Sequence, residues 1–377
     1  MLTTDLSQET HPRFDYWLLA ATLLLTGVGV VMVLSASGVM AERYFGDKYL
    51  FFRKQLLFAG LGLGIMIVAA KMPLERLYSL KYVALGLVVL LLILTRFTPL
   101  GVEINGAKRW LRFFGFTLQP MEFAKFALVL YLAWFFSAKR ELVKTFSVGV
   151  IPPFAVCGFL SLLVLSQPDF GGAAVLSMLL FLMCLAGGTR AIYLISSFAM
   201  SATAGWLLVV SSPYRSRRLL AFLDPFKDAL DSGYQLVQSL YGLGSGGLWG
   251  VGLGAGRQKL FYLPEAHNDF IMAVVGEELG FIGMSAVFVL MGVLLWRAFG
   301  VALNQNDLHD RYAAFGLALI LSLGAVLNLA VILGTAPPKG VPLPFVSYGG
   351  SNLMASFLCV GMLLNLSRRR GTANSAE

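Results

Sequence analysis

The chain has 377 residues, 58% of them hydrophobic and only 13% charged, with a formal net charge of +9. That charged fraction is about half the average for a soluble domain, which excludes a water-soluble globular fold, because too much apolar surface would face water. The basic excess has to be read against a membrane, and no nucleic-acid partner is expected.

A bilayer core about 30 Å thick is crossed by roughly 20 apolar residues of helix. Ten stretches of near that length lack unpaired charge, approximately 16–37, 51–70, 78–95, 120–137, 146–165, 170–186, 191–210, 268–296, 312–334 and 343–366. The expected fold is an all-α integral membrane protein of about ten transmembrane helices, one domain over 1–377 with tails at 1–15 and 368–377. Interior Gly and Pro are compatible with such spans, since neighbouring helices can satisfy the freed backbone groups. The first span ends in the small residues Ser35, Ala36 and Ser37, as a cleavable leader would, but its polar start sets Asp5, Glu9 and Asp15 against Arg13, unlike the basic leader of a signal peptide. Cys157, Cys184 and Cys359 all fall inside spans, which points to packing rather than a disulfide framework.

An even number of spans places both termini on one side, and the closing Arg368-Arg369-Arg370 run marks that side as cytoplasmic. The basic residues then number 13 inside and 15 outside, and setting aside the long 211–267 loop leaves 9 outside against 13 inside. Short loops are the ones that obey the positive-inside bias. Basic residues retained on an outer face suggest a polyanionic ligand there, with phospholipid headgroups as the plainer alternative.

Two outer loops are long, 96–119 and 211–267, and long loops in compact bundles are usually functional or disordered. In the larger one, Pro213, Tyr214, Arg215, Arg217 and Arg218 lead into Leu219, Leu220, Phe222 and Leu223, a basic cluster meeting an apolar stretch, which suits a segment lying in the interface. Gly242, Gly244 and Gly247 satisfy the dinucleotide pattern G-x-G-x-x-G, but no strand precedes them and no βαβ unit surrounds them, so a flexible loop or close backbone approach explains them better. His11, His267 and His309 are too dispersed for a histidine metal site.

Three groups carry chemistry. Glu122 and Lys125 follow Gln119 and Pro120 at the start of the fourth span; a spacing of three puts both charges on one helix face, where such residues meet a partner or a polar cavity. In the run Leu263-Pro264-Glu265-Ala266-His267-Asn268-Asp269-Phe270, Asp269 sits at a helix N-terminus near the outer boundary, either complementing the helix dipole or acting as a general base. Glu277 and Glu278, two or more turns deeper, read as buried polar groups satisfied by neighbours. The third group, Lys339 to Ser351, holds two prolines and paired glycines, so an irregular segment that lines a cavity or is buried in protein is expected.

In these residues the chain resembles the SEDS family of shape, elongation, division and sporulation proteins. The matching stretches are Gln119-Pro120-Met121-Glu122-Phe123-Ala124-Lys125, Gln167-Pro168-Asp169, Tyr214-Arg215-Ser216-Arg217-Arg218 with Phe222-Leu223-Asp224-Pro225, Gly233-Tyr234-Gln235, Pro264 to Asp269, Gly276-Glu277-Glu278, and Phe345 to Ser351. Pro264-Glu265-Ala266-His267 is similar to the cell-division branch; elongation members usually have arginine where Ala266 stands. Met121 replaces the usual serine, Asn268 the usual threonine, and Ala336-Pro337-Pro338 alters the stretch before Lys339.

The resemblance implies a peptidoglycan glycosyltransferase of the bacterial inner membrane, working at the division septum. It would use lipid II and an undecaprenyl-pyrophosphate-linked glycan, alongside a class B penicillin-binding protein and other divisome proteins. Undecaprenyl pyrophosphate leaves without an acid to protonate it, so one base suffices, unlike glycoside hydrolysis with its two carboxyls. Asp269 is the expected base, and a single displacement would invert the anomeric centre. Glu122, Lys125, Gln119, His267, Gln235, Ser347 and Tyr348 are the expected cavity and substrate-positioning residues. Arg215, Arg217, Arg218 and Lys339, or a divalent cation such as Mg2+ or Mn2+, would hold the diphosphate. The alternative from another class is a lipid II flippase, for which binding at the midplane between related halves would be expected; here the candidate groups gather toward one face and no repeat is visible.

Overall fold

Helix caps and breakers set the frame of the computed structural model, which describes residues 14–104, 106–113, 116–231, 233–337 and 339–369. His11, Arg13, Pro338 and Arg370 of the sequence reading lie outside the described residues, as do the side chains of Tyr214 and Arg215. In chain order the elements are α1 (Tyr16–Phe45), α2 (Leu50–Lys71), α3 (Leu74–Ser79), α4 (Lys81–Phe97), β1 (Gly101–Ile104), β2 (Ala107–Phe113), β3 (Phe116–Leu118), α5 (Pro120–Ala138), α6 (Phe146–Gly149), α7 (Ile151–Ser166), α8 (Phe170–Ala186), α9 (Ala191–Val210), α10 (Pro213–Leu223) and α11 (Tyr234–Ser245). A wide turn, Gln258–Tyr262, leads to α12 (Ile271–Leu303), α13 (Leu308–Ile332) and α14 (Gly350–Arg368).

Asp15 opens α1 by accepting the Leu18 N–H at 3.0 Å and also pairs with Arg297 of α12 at 2.7 Å. Pro120 occupies the first turn of α5, where its missing N–H costs nothing. Asp169 caps α8 through the Gly172 N–H at 2.9 Å. α5 is buried along nearly its whole length, packed by α4, α8, α13 and α14, and α2 lies against α14. α9 packs lightly on α8 and α10 and exposes Ile192, Ile195, Phe198 and Leu207, the apolar dress of a lipid-facing helix.

Each expected span contains a helix, and among the described residues eight helices are long and apolar enough to cross a membrane. The third and sixth expected spans are helices of 17 residues each, α4 and α8. The chain is a multi-pass membrane protein.

Four boundaries differ from the sequence expectation. The 96–119 loop is not merely irregular: it folds as an antiparallel meander in the order β1-β2-β3, an exception to the all-α expectation that pairs its backbone groups within itself. The 211–267 loop holds α10 and α11. The eighth span starts at Ile271 rather than 268 and is broken at Gly280, whose φ of 65° no ordinary side chain adopts easily. There the N–H groups of Val251 and Gly252 donate to the Glu277 and Glu278 carbonyls at 3.0 Å each, so a loop takes up the carbonyls the break releases. The last span is helical only from Gly350; Pro342 and Pro344 deny the backbone donors a helix needs, and residues 339–349 form a strap across the bundle.

Candidate active site

Asp269 lies in the loop just ahead of α12, partly buried, with its backbone and its carboxylate both held close to the 339–349 strap. A Cβ on Gly340 would sit 2.7 Å from Asp269 Oδ2, so a side chain there would make the carboxylate turn away from its present direction. Among the described residues the carboxylate makes no hydrogen bond or ion pair. Burial pushes its pKa from 3.8 up to about 7; Glu265 adds to the rise, while Arg218 and Arg109 oppose it. A base that titrates near neutrality combines a usable carboxylate fraction with real proton affinity.

The cations gather on the turn before α8. Arg109, from β2, donates to the Pro168 carbonyl and stands 3.9 Å from Asp169 Oδ1. Lys339, from the strap, donates to the Gly171 carbonyl. Burial lowers the Lys339 pKa to about 8, against the pull of Asp169, which leaves it mostly charged at neutral pH. Its other charged neighbours are Glu122, Lys125 and Arg109, so the strap, β2 and α5 present their charges to one region.

Glu122 and Lys125 are paired at 2.7 Å and both buried, and Asn352 of α14 donates to the same Glu122 oxygen at 3.0 Å. The Gln119 N–H donates to Ser351 Oγ at 2.8 Å, which ties the start of α5 to the start of α14. Ser347 is structural within the strap: its hydroxyl accepts the Leu343 N–H at 2.8 Å and its carbonyl accepts from Gln55 at 3.3 Å. Tyr348 donates its backbone N–H to the His267 carbonyl at 3.0 Å, and the rings of His267, Tyr348 and Phe51 cluster with centroids 4.8 to 5.5 Å apart. Burial drives the His267 pKa down to about 4, so its ring is neutral and serves as packing.

Comparison with known proteins adds to this geometry. Residues 16–372 match the family described as Cell cycle protein, FTSW_RODA_SPOVE. The chain belongs to this FtsW/RodA/SpoVE family. It is 42% identical over 357 residues, 94% of this chain and 93% of the other, to a Trichlorobacter lovleyi protein named probable peptidoglycan glycosyltransferase FtsW. A chain from a structure described as structural coordination of polymerization and crosslinking by a peptidoglycan synthase complex superposes with a TM-score of 0.75 at 30% identity, over 95% of this chain and 98% of that one. The crystal structure of the Thermus thermophilus rod shape determining protein RodA matches with a TM-score of 0.70 at 29% identity, over 95% and 97%.

Within this FtsW/RodA/SpoVE chain, the expected residues divide. Asp269, Lys339, Glu122, Lys125 and Arg218 share a neighbourhood through Arg109, Gly340 and the strap. Arg217 does not join them: it is exposed on α10 beside Asp224, Asp228 and Asp231, lining a surface cleft of its own. Gln235 lies in the first turn of α11, which packs on α12 and α13, and no hydrogen bond among the described residues ties it to Asp269. Glu277 is satisfied by the Arg257 and Gln258 N–H groups at 2.8 and 3.1 Å, as expected of a buried carboxylate.

Arg109, Asp169, Asn328 and Gly340 lie beside these residues and were not among the expected site residues. Arg109 counted only as outer basic charge, and Asp169 only as part of a motif. Asn328 had a usable signal, since a lone amide in an apolar span is a functional flag by default. Among the described residues no group of three or more His, Cys, Asp or Glu side chains is placed to hold a metal ion. A divalent cation held by one or two carboxylates together with a substrate's phosphates would need no such cluster.

Proposed function

We propose that this protein is a peptidoglycan glycosyltransferase that polymerises lipid II into β-1,4-linked glycan at the outer face of the bacterial inner membrane, with both of its termini cytoplasmic. The single observation that carries the reading is Asp269: a partly buried carboxyl whose pKa stands at about 7, at a rim shared with Arg109, Arg218 and Lys339. The 42% identity to a relative named for this activity supports it.

Asp269 takes the proton of the acceptor sugar hydroxyl as its oxygen bonds to the anomeric carbon of the donor. The bond from that carbon to the diphosphate oxygen breaks, and the electron pair leaves with undecaprenyl pyrophosphate. Attack opposite the leaving group turns an α-linked donor into a β-linked product. Lys339, Arg218 and Arg109 meet the diphosphate charge, each by hydrogen bonds stronger than neutral ones. Glu122 and Lys125 neutralise each other and hold the wall formed by α5 and α14. A class B penicillin-binding protein supplies the crosslinking reaction, and septal synthesis is the setting that the cell-division likeness favours.

The experiment is polymerisation of lipid II by the purified protein, with and without its transpeptidase partner, reading glycan chains by gel. Wild type is expected to make them and Asp269→Asn to make none. An α-linked product would overturn the displacement step; translocation of lipid II across vesicles without polymer would favour a flippase instead.

A further inference from the structure

A general base needs a fixed position, yet residues 263–270 form turns with no helix or sheet ladder to hold them. What holds Asp269 comes from a different element. Asn328, in α13, is 1% exposed, and its Nδ2 donates to two carbonyls at once: that of Asp269 at 2.8 Å and that of Val341 at 2.7 Å. Its Oδ1 is buried with no partner among the described residues. Flipping the amide would aim Oδ1 at both carbonyl oxygens, so the two acceptors fix which way it points. An apolar residue at this place would take this donor away from both carbonyls, so what the position supplies is the pair of donors. One residue before Val341, Gly340 leaves the gap that Asp269 Oδ2 fills.

We propose that Asn328 is the positioning residue of this site: its amide staples the backbone of Asp269 to the strap at Val341, and the bare Gly340 lets the strap close on the carboxylate and set its direction. The proposal rests on the reading of Asp269 as the base. It explains why an amide is kept in an otherwise apolar stretch of α13, and why the strap runs unwound beside the loop instead of joining α14.

The test measures lipid II polymerisation by the full-length protein with its transpeptidase partner, as kcat, KM and pH profile. Asn328→Ala is expected to lower kcat by about ten- to a hundredfold with KM changed by less than about twofold, the signature of a displaced reacting group. The charged groups facing Asp269 are Glu265 from its own loop, Arg218 from α10 and Arg109 from β2, and the variants leave all of them in place. A moved acid limb therefore reports the carboxylate's own surroundings. In Asn328→Ala the midpoint should fall as water reaches the released carboxylate. In Asn328→Asp it should rise, because a second negative charge is placed beside it. Gly340→Ala, at an exposed position of the largely buried strap, should reproduce the kcat loss without touching the core, and it decides the matter if the Asn328 variants do not fold. Wild-type kcat and midpoint in Asn328→Ala or, failing that, Gly340→Ala, or a kcat loss with an unmoved midpoint, would overturn the positioning role. Asp269→Asn separates the two claims: activity in that variant sinks the base itself, whereas its inactivity beside unaffected Asn328 variants sinks only the staple.

Discussion

Asp269 and Glu278 stand at opposite ends of the first segment of α12, and the same side-chain chemistry has been put to opposite uses. Glu278 is fully buried and fully satisfied: Lys259 pairs with it at 2.6 Å, Ser35 of α1 donates to both its oxygens at 2.9 and 2.6 Å, and the Gly254 N–H donates at 2.9 Å. Asp269 is buried enough to raise its pKa but makes no such bonds among the described residues. Pairing spends a carboxylate's charge on holding three segments together, whereas burial without pairing keeps proton affinity available. The fold needs the first kind at the break in α12 and the second at the rim.

The comparison breaks most easily at Asp269. Asp269→Asn should cost about 10² to 10⁴ in polymerisation rate, the usual worth of a general base, with no loss of thermal stability. Lys259→Met should do the reverse in kind, losing about 3–5 kcal/mol of stability because Glu278 is left as an uncompensated buried charge; unfolding in detergent measures it, and an unchanged melting temperature would show that the pair holds nothing.

The pH dependence sharpens the contrast. Activity needs the carboxylate, so the rate should fall about tenfold per pH unit below the Asp269 midpoint near 7. Stability runs with the opposite sign. A folded-state pKa raised above 3.8 contributes stability that is present below that value and is lost as pH rises through about 7. Asp269→Asn should therefore gain stability relative to wild type across that window, and a constant difference would contradict the burial argument.

Smaller effects separate the cations that face the rim from those that do not. Arg109→Ala should raise KM for lipid II by about ten- to a hundredfold, the worth of a lost hydrogen bond to a charged group. Arg217→Ala, on an exposed face among aspartates, should stay within about twofold. Equal effects from the two would mean that α10 turns its outer face to the substrate.

Glu122 with Lys125, Asp269 and Lys339 could be picked out as candidate site residues because ionisable groups near membrane depth are costly and therefore few, which makes each one informative. Gln235 and Arg217 were over-read for the opposite reason: a long polar loop can afford many charges, and spacing does not say which way each one faces. Arg109 was hidden because the meander that carries it is short, and its strands show no apolar alternation strong enough to announce a sheet. The Glu278 pair was read as satisfied, but its lysine lies 19 residues upstream and its serine 243 residues away, separations that no local pattern encodes.

By itself the sequence determined that this chain lives in a bilayer, that its helices lie where apolar runs reach the membrane's thickness, and that a few ionisable residues would carry its chemistry. All of these follow from the cost of exposing apolar groups to water and charges to lipid, which each residue meets alone. Only the tertiary structure decided which carboxylate is paired and which is left poised, that the strap and the Asp269 loop meet at Asn328 and Gly340, and that α12 breaks at Gly280. Those outcomes depend on groups from distant segments arriving within hydrogen-bonding distance of one another, and which distant segments meet is not marked by any local pattern in the sequence.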